Sequence, residues 1–355
     1  MKTAILSLTA GGRKLAANIA KELNDSHVVP VDNGIAAAFR DNWMAFDGFI
    51  AIMATGITIR AIAPLLGDKT TDPAVVCLDE KGRHCISLLS GHLGGGNALA
   101  GRVAAVTGGE AVITTASDTL ELVPLDLWAA AQNLRWADQK ILTAASSTLV
   151  NQGRLHVFSE VDIEALPPGL VETSDMENAD LVITHRKVVP EYTNKEYIGT
   201  KYRTKYRTKY RTKYRSLQPA NLVIGVGCNR NTPVSEFEEA LHQLFTELGL
   251  SLLAIRNLAS IEAKNDEAGL LRFAALNNWY IDFFTPDMIN RMEDITVSNA
   301  ALKAVGAKGV AEPTALLSAN TTTLLSRKRK WQNITMAVAR APFTLSARVL
   351  DHLNT

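Results

Sequence analysis

Apolar runs and amphipathic segments alternate along the first 130 residues of the chain. Ala4–Leu8 and Gly48–Ala54 are continuous apolar runs of strand length, typical of strands buried on both faces. Between them, Arg13–Leu23 has apolar residues at helical spacing, which predicts an amphipathic helix. The alternation therefore predicts an open α/β sheet covered by helices. The other elements predicted here are a helix from Thr55 to Leu66, strands Ala74–Asp79, His84–Leu89 and Ala111–Thr115, and a helix Asn97–Thr107.

The pattern weakens between residues 131 and 219 and becomes regular again from 220 to 355. The middle part predicts a helix over Leu134–Leu149 and strands over Leu155–Phe158 and Leu181–Thr184. The last part predicts strands Asn221–Val226, Leu252–Ile255, Tyr280–Phe284 and Ile334–Val338, a helix Val234–Leu248, a helix from about Glu267, and a helix after Gly309–Pro313. We therefore expect an α/β protein. Two α/β domains with largely parallel sheets, 1–130 and 220–355, flank a smaller α/β middle segment, 131–219.

The segment Ile86–Asn97 is the first candidate for chemistry. Its apolar run ends in Ser90-Gly91-His92, and three glycines then precede the predicted helix. Glycines and a helix N-terminus can bring N–H groups to an anion, and a histidine can carry a proton near neutral pH. The alternative is a tight turn with a structural histidine. Similar loops follow predicted strands at Thr55 and Thr114, and open sheets bind ligands at the carboxyl ends of strands. We predict a site that holds an anion and moves protons.

Composition and charge narrow the class of protein. The apolar runs of this 355-residue chain are too short to span a membrane, and the first residues fit a strand and helix better than a signal peptide. Three cysteines, Cys77, Cys85 and Cys228, give no disulfide framework, so we expect a cytoplasmic protein. The net charge is +1, yet residues 200–215 are four copies of Thr-Lys-Tyr-Arg with eight positive charges, leaving a net −7 elsewhere. Such a tract could bind nucleic acid, but its perfect repetition favours an exposed linker in a tolerant loop.

Several familiar motifs are incomplete. Gly67-Asp68-Lys69-Thr70 lacks the glycine spacing of a phosphate-binding loop, and Arg230 replaces the third glycine of a dinucleotide motif begun by Gly225-Val226-Gly227. Ser90 has Leu88 where a nucleophile elbow needs glycine. Cys77, His84, Cys85 and His92 match no standard zinc spacing, and we expect Cys77 and Cys85 to be small buried hydrophobes. We predict no metal site.

Read together, the loops resemble the cobalt-precorrin-5A hydrolase family, often called CbiG. The likeness rests on Ala54–Ile57, Arg60, Ala63–Leu65, Lys69, Asp72–Val76, Ile86–His92, Gly94-Gly95, Asn97, Val112–Asp118, Gly225–Arg230, Lys264, Glu267, Gly309–Pro313 and Thr335–Ala339. Ser117 stands where the family usually has threonine, and Asn229 stands where it often has arginine. The resemblance covers nearly the whole chain, but the middle segment matches only loosely and the repeat tract is not a family feature.

The resemblance implies a reaction in anaerobic cobalamin biosynthesis. The enzyme opens the ring-A δ-lactone of cobalt-precorrin-5A and releases the C20 unit as acetaldehyde, giving cobalt-precorrin-5B. Cobalt travels with the substrate, so no cofactor is expected. Lactone hydrolysis needs a base and oxyanion donors. We assign His92 as base, Ser90, Thr55 or glycine N–H groups as oxyanion donors, and Glu267 or Glu312 to the later proton transfers.

The macrocycle carries many carboxylates, so cations and N–H groups should bind it. The predicted binding residues are Thr55, Gly56, Arg60, Lys69, Gly94, Gly95, Asn97, Thr114, Thr115, Arg230 and Lys264, whereas Arg83 fits a solvated turn better. The alternative function is a non-catalytic tetrapyrrole carrier of the same pathway. Expected partners are the substrate and neighbouring pathway enzymes, without nucleic acid or membrane. Association into a homo-oligomer stays open.

Overall fold

A computed structural model describes residues 1–68, 71–187, 215–293 and 295–350. It divides into two compact units. The first contains Met1–Ala131, Ser146–Gly153 and the described residues from Arg348 onwards, and the second contains Gln132–Ala145 and Arg154–Ala347. The helix Gln139–Gln152 therefore contributes to both. The fold class is α/β with mostly parallel sheets, as predicted. The three-part division at 130 and 219 stays a prediction.

The first unit is built on a six-stranded sheet. Its strands are β1 Thr3–Ser7, β2 Ser26–Val28, β3 Gly48–Ile52, β4 Ala74–Leu78, β5 His84–Leu89 and β6 Glu110–Val112, in the order β2-β1-β3-β4-β5-β6. Its helices are α1 Ala10–Glu22, α2 Ile35–Asn42, α3 Thr55–Ile62, α4 Gly96–Thr107, α5 Ala116–Thr119 and α6 Leu125–Ala131. Helices α1 and α4 cover one face of the sheet, and α2 and α3 cover the other. Both faces are buried, which explains the continuous apolar runs.

One strand runs against its neighbours, and this changes where the loops lie. β1 to β4 are parallel, but β5 is antiparallel to β4 and parallel to β6. The loops that follow β5 and β6 therefore lie at one end of the strands of the sheet, and the loop that follows β3 lies at the opposite end. The loops at Thr55, Ser90 and Thr114 each follow a strand, as predicted, but the Thr55 loop lies at the opposite end of the sheet from the other two.

The middle residues form a five-stranded sheet in the second unit. Its elements are β7 Leu134–Trp136, α7 Gln139–Gln152, β8 Leu155–Ser159, β10 Leu170–Glu172, β11 Leu181–Ile183 and β12 Arg215–Pro219, with β9 Asp162–Ile163 outside the sheet. The order is β10-β8-β11-β12-β7, and only β7 is antiparallel. The helix predicted over Leu134–Leu149 is therefore wrong at its start. Leu134-Arg135-Trp136 alternates with the period of a strand, and Asp138 then accepts the Lys140 N–H at 2.9 Å as the helix begins.

The repeat tract lies largely outside the described residues. Residues 188–214 are not described, so the linker interpretation stays a prediction. The last residue of the tract is an exception, because Arg215 opens β12 and pairs with Leu181 of β11. Arg215 is therefore a strand residue and not part of an exposed linker.

The last part of the second unit has a five-stranded sheet of its own. Its strands are β13 Leu222–Cys228, β14 Ile255–Ile261, β15 Ile281–Phe284, β16 Leu324–Lys330 and β17 Ile334–Arg340, in the order β15-β14-β13-β17-β16. Its helices are α8 Val234–Leu248, α9 Ala268–Leu276, α10 Pro286–Asn290, α11 Asn299–Val305 and α12 Ala311–Ala319. β13 to β15 are parallel, and β16 and β17 form an antiparallel hairpin. The short strand β18 Thr344–Leu345 pairs with β9.

Two strand predictions in this part need correction. The strand predicted over Leu252–Ile255 is wrong, because Leu252–Ala254 is a 3₁₀ turn capped by the Ser251 hydroxyl. Strand β14 begins at Ile255 and continues through Ala259–Ile261, which we predicted to lie between strands. β16 was not predicted at all, since its exposed basic residues hide the period of a strand.

A close approach of backbone to backbone fixes helix α12 on strand β13. A Cβ atom at Gly225 would overlap the carbonyl oxygen of Ala311, so the helix can approach the strand only over a glycine. We expect Gly225→Ala to lower the free energy of unfolding by about 1–3 kcal/mol, the usual cost of overpacking. The matched control is Gly101→Ala in α4, where a Cβ meets nothing within 4 Å. Because alanine favours helix, the control should be neutral or stabilising. Thermal unfolding of both variants measures the difference, and an equal response would contradict the packing argument.

Candidate functional site

His92 lies in the loop between β5 and α4, and the loop is closed on itself. The N–H of Gly95 donates to the His92 carbonyl at 2.8 Å, and the N–H groups of Gly96 and Asn97 donate to the carbonyls of Ser90 and Gly91 at 2.9 Å. These donors cannot also hold a substrate carboxylate. The carboxylate-binding role predicted for Gly95 therefore does not fit the closed loop.

The glycines and Ser90 of this loop have packing roles. Ser90 has a φ of 54°, and its hydroxyl donates to the Asp72 carbonyl at 2.8 Å. A Cβ at Gly94 would overlap Ser90, and Gly95 has a φ of 78° as the residue before α4. The Ser90 hydroxyl is thus already used to hold the loop to the segment before β4. In this arrangement it is not available as an oxyanion donor.

The imidazole of His92 lies between two carboxylates. Its Nε2 is 2.9 Å from Oδ2 of Asp118, and its Nδ1 is 3.5 Å from Oδ1 of Asp126. The hydroxyl of Ser117 is 3.3 Å from Nε2. Asp118 and Ser117 come from α5, directly after β6, and Asp126 comes from α6. We call these four residues with Asn97 and Thr115 the His92 cluster.

Asn97 and Thr115 hold the acidic side of the cluster in place. The amide nitrogen of Asn97 donates to Oδ2 of Asp118 at 3.1 Å and to the Thr115 hydroxyl at 3.4 Å. The amide oxygen of Asn97 is buried and has no hydrogen-bond partner among the described residues. Asn97 and Thr115, both predicted to bind substrate, are therefore brought to the predicted base. Their observed contacts orient Asp118.

The two carboxylates decide the protonation of His92. Burial by itself lowers the pKa of His92, but hydrogen bonds and charge from Asp126 and Asp118 outweigh it, so the pKa lies above the ordinary 6.5. Burial tends to raise the pKa of Asp126, but His92 outweighs it, and the pKa lies below the ordinary 3.8. The side chain of Asp118 is 33% exposed, against 17% for His92, so solvent reaches the cluster from the Asp118 side.

The other predicted residues of the first unit do not join the cluster. Helix α3, which contains Thr55, Gly56 and Arg60, begins at the opposite end of the sheet. A five-residue strand is about 15 Å long, so this helix begins about that far from the cluster. Thr55 cannot share an oxyanion with His92 across that distance, and its hydroxyl lies 3.6 Å from the Cys77 sulfur. Thr114 is exposed just after β6. Lys69 lies outside the described residues.

A second feature is a cleft of about 610 Å³ in the second unit. It opens where β13 and β14 end, beside the start of α12, and the hairpin of β16 and β17 forms one wall. Four cationic side chains line it: Arg230, Lys264, Lys328 and Lys330. We call it the basic cleft. Arg230 and Lys264 were predicted from the sequence, whereas Lys328 and Lys330 were not.

The carboxylate of Glu267 is buried next to the two predicted cations, Arg230 and Lys264. Its side chain is 3% exposed, one carboxylate oxygen accepts the Asn231 N–H at 2.7 Å, and the other lies 3.8 Å from Nζ of Lys264 and 3.7 Å from Arg230. Arg230 also pairs with Asp266 and donates to the Ala263 carbonyl at 2.9 Å. This buried carboxylate fixes the cations. Its predicted proton transfer stays untested.

Two further side chains border this region. Glu312, in the first turn of α12, accepts the Lys328 N–H at 2.9 Å and so ties the hairpin to the helix. Cys228 at the end of β13 lines the cleft, and burial raises the pKa of its thiol to about 11. It is therefore a neutral thiol at physiological pH. Cys77 and Cys85 are free and buried, as predicted.

Sequence reasoning missed the acidic partners of His92 as site residues. Asp118 was present within the recognised segment Val112–Asp118, but nothing in the sequence linked Asp126 to His92. For the cleft, the run Arg327-Lys328-Arg329-Lys330 was a visible signal. Among the described residues there is no group of histidine, cysteine and acidic side chains suited to a metal ion. In the described part of the chain, no helix is long and apolar enough to cross a membrane.

The electrostatics of the cluster can be tested directly. We expect Asp126→Asn to lower the pKa of His92, because a neutral amide stabilises the imidazolium less than a carboxylate does. NMR titration of labelled histidine measures this change, with Asp41→Asn, on the exposed end of α2, as control. An unchanged His92 titration in Asp126→Asn would contradict the contact.

The same shifts predict how stability depends on pH. The raised pKa of His92 gives stabilisation that is complete below 6.5 and lost as the pH rises through the folded-state value. The lowered pKa of Asp126 gives stabilisation that is present above 3.8 and lost as the pH falls through its folded-state value. The cluster therefore stabilises the first unit most between pH 3.8 and 6.5. The melting temperatures of wild type and Asp126→Asn, measured from pH 3.8 to well above the folded-state pKa of His92, should differ most below 6.5 and converge at higher pH. A difference that stays constant with pH would contradict the expectation.

Comparison with known proteins identifies the family. A family model described as Cobalamin synthesis G N-terminal matches residues 37–118, and a second, described as Cobalamin synthesis G C-terminus, matches residues 222–339. A crystal structure from Sulfolobus solfataricus, described as a homologue of cobalamin biosynthesis protein G, is 19% identical and has a TM-score of 0.36, covering 95% of this chain and 96% of its own. The cobalt-precorrin-5A hydrolase of Priestia megaterium is 34% identical over 84% of this chain and 80% of that protein. The cobalt-precorrin-5A hydrolase of Salmonella typhimurium is 30% identical over 88% of this chain and 91% of that protein. This chain belongs to the cobalt-precorrin-5A hydrolase (CbiG) family.

Proposed function

We propose that this protein hydrolyses cobalt-precorrin-5A. Water opens the ring-A δ-lactone, a carbon–carbon bond then breaks, and the C20 unit leaves as acetaldehyde to give cobalt-precorrin-5B. Membership of the family and the activity named for its 34% and 30% identical relatives support this reaction. The observation that carries the mechanism is the imidazole of His92 between the carboxylates of Asp118 and Asp126.

The first role of His92 is that of a general base. In its neutral form, Nδ1–H donates to Asp126, and the attacking water takes the place of Asp118 as the hydrogen-bond partner of Nε2 and gives its proton to that nitrogen. The imidazolium that forms is stabilised by both carboxylates, as its raised pKa reflects. It can then return the proton to the leaving oxygen of the lactone, as a histidine does in a serine-type triad. Asp126 thus orients the ring, and Asp118 faces the solvent-accessible side.

The oxyanion donors must lie close to the same nitrogen. The Ser117 hydroxyl, 3.3 Å from Nε2, meets this requirement, whereas the hydroxyls of Ser90 and Thr55 are used elsewhere. We assign Ser117 to this role. Threonine, usual in the family at this position, would supply the same hydroxyl.

Release of acetaldehyde needs a second proton-transfer group. Asp118 is suited to it because it is hydrogen bonded to His92 and partly exposed, whereas Glu267 is enclosed by Lys264 and Arg230. We therefore assign this step to Asp118 and give Glu267 and Glu312 positioning roles beside the basic cleft.

We assign substrate binding to cationic side chains of the protein. Arg230 and Lys264 are assigned to its peripheral carboxylates, and cobalt belongs to the substrate, so the reaction is proposed to use no cofactor. The three cysteines are all free, as in proteins of reducing compartments, which supports a cytoplasmic location.

The decisive experiment compares two histidines of the first unit. We expect His92→Asn to lower kcat by about a hundredfold or more, the scale for losing a positioned proton carrier. His84→Asn, at the exposed start of β5, is the matched control and should be close to wild type. Acetaldehyde released from cobalt-precorrin-5A under anaerobic conditions is the measurement. Near-normal turnover in folded His92→Asn would remove His92 as the base.

The pH profile separates a base from an acid. Because the base must be neutral, kcat/KM should rise with pH and level off above the His92 pKa, which lies above 6.5. Asp126→Asn should move this limb to lower pH and also lower the plateau. A profile that falls through the same pKa would assign His92 as a general acid instead.

A further inference from the structure

The basic cleft carries an uncompensated positive charge. Among the described residues, no Asp or Glu side chain lines it, although four cations do. The charge of Arg230 is compensated by ion pairs with Asp266 and, at 3.7 Å, with Glu267. The charge of Lys264 is compensated by Glu267 at 3.8 Å. Lys328 and Lys330 have no ion pair within the described part of the chain. The free charge of the cleft therefore belongs to the hairpin.

Lys328 and Lys330 line the cleft, whereas Arg329 between them is not one of its lining residues. The pairing of β16 with β17 is irregular between Ser326 and Arg329, so the placement of Lys328 is taken from the lining of the cleft and not from strand alternation. Arg329 pairs with Glu247 of α8. The run therefore contains one arginine neutralised by an ion pair and two lysines that have none among the described residues.

The hairpin is fixed before any ligand arrives. Glu312 accepts the Lys328 N–H at 2.9 Å, and the indole N–H of Trp331 donates to Gln243 at 2.8 Å. Trp331 is also one of the residues that line the cleft, together with the small side chains of Ala300 and Ala304 from α11. The lining thus combines aromatic and small apolar residues with cations. This combination suits a flat ring with acidic substituents.

We propose that the basic cleft is a binding site for polycarboxylate tetrapyrroles, with Lys328 and Lys330 as its carboxylate-recognising residues. The ring packs on the wall of Trp331 and alanines, and its peripheral carboxylates pair with the lysines. The substrate class rests on the proposed function. The lysines pair with peripheral carboxylates, which are the same in the closed lactone and in the opened ring, so the cleft binds both forms of the ring.

The test uses two stable porphyrins that differ in acidic groups. Uroporphyrin carries eight carboxylates and mesoporphyrin two, and binding of each to the full chain is followed by porphyrin fluorescence anisotropy. We expect uroporphyrin to bind at least tenfold more tightly, with an affinity that falls as salt rises. The double variant Lys328→Gln/Lys330→Gln should weaken uroporphyrin binding about tenfold, the scale for two exposed ion pairs. Arg329→Gln removes a positive charge from the same strand, but from a side chain that does not line the cleft, and should leave binding unchanged.

The outcomes separate this site from the proposed function. With cobalt-precorrin-5A, the double variant should raise KM about tenfold and keep kcat within twofold, with an unchanged melting temperature. Equal uroporphyrin binding by wild type and the double variant, or equal weakening by Arg329→Gln, would overturn the site even if acetaldehyde is still released. Lysine-dependent binding without any release of acetaldehyde by wild type would keep the site and overturn the hydrolase.

Discussion

The direction of β5 is the constraint on which the His92 cluster depends. Because β5 runs against β4 and with β6, the loops that follow β5 and β6 leave the same edge of the sheet. One of these loops supplies His92, and the other supplies Ser117 and Asp118. If β5 were parallel to β4, His92 would lie at the opposite end of the sheet, about one strand length away from these partners. The closed glycine loop and the bond from Ser90 to Asp72 then fix the imidazole within this arrangement.

Two carboxylates on one imidazole form a system that holds a proton and can also release it. A buried charge pair costs desolvation, but Asp118 stays partly hydrated and accepts a second hydrogen bond from Asn97. Stabilising the imidazolium makes His92 a stronger base and leaves fewer molecules in the neutral form. In the proposed mechanism, this balance favours reaction at or above neutral pH, where water activation and protonation of the leaving oxygen would use the same nitrogen.

The sequence predicted most elements of both end sheets because their strands are buried on two faces and their helices are amphipathic. The prediction of secondary structure failed where exposed polar residues obscure the alternation of a strand, as in β16, and where a short strand adjoins a helix, as at Leu134–Trp136. The separation of Thr55 from Ser90 was readable in the chain, because only Glu80–Arg83 lies between the predicted strands Ala74–Asp79 and His84–Leu89, and so short a connection makes two neighbouring strands antiparallel. Three residues of the His92 cluster, His92, Asn97 and Thr115, were named as candidate site residues from the sequence. Asp126 could not be found, since its contact with His92 depends on how α6 returns to the loop.

The proposed roles of the basic cleft and of the His92 cluster differ in what they do to the substrate. Peripheral carboxylates are the same in the closed lactone and in the opened ring, so cations that bind them stabilise substrate, transition state and product alike. Such binding lowers KM without accelerating the reaction, and by itself it would retain the product. The proposed role of the His92 cluster differs, because hydrolysis beside His92 would create a new carboxylate near Asp118 and Asp126. In that mechanism, the negative charge of these two residues stabilises the imidazolium during water attack and then repels the product carboxylate. The carboxylate pair that raises the pKa of His92 would therefore also favour release of the opened ring, which uniform binding alone could not achieve.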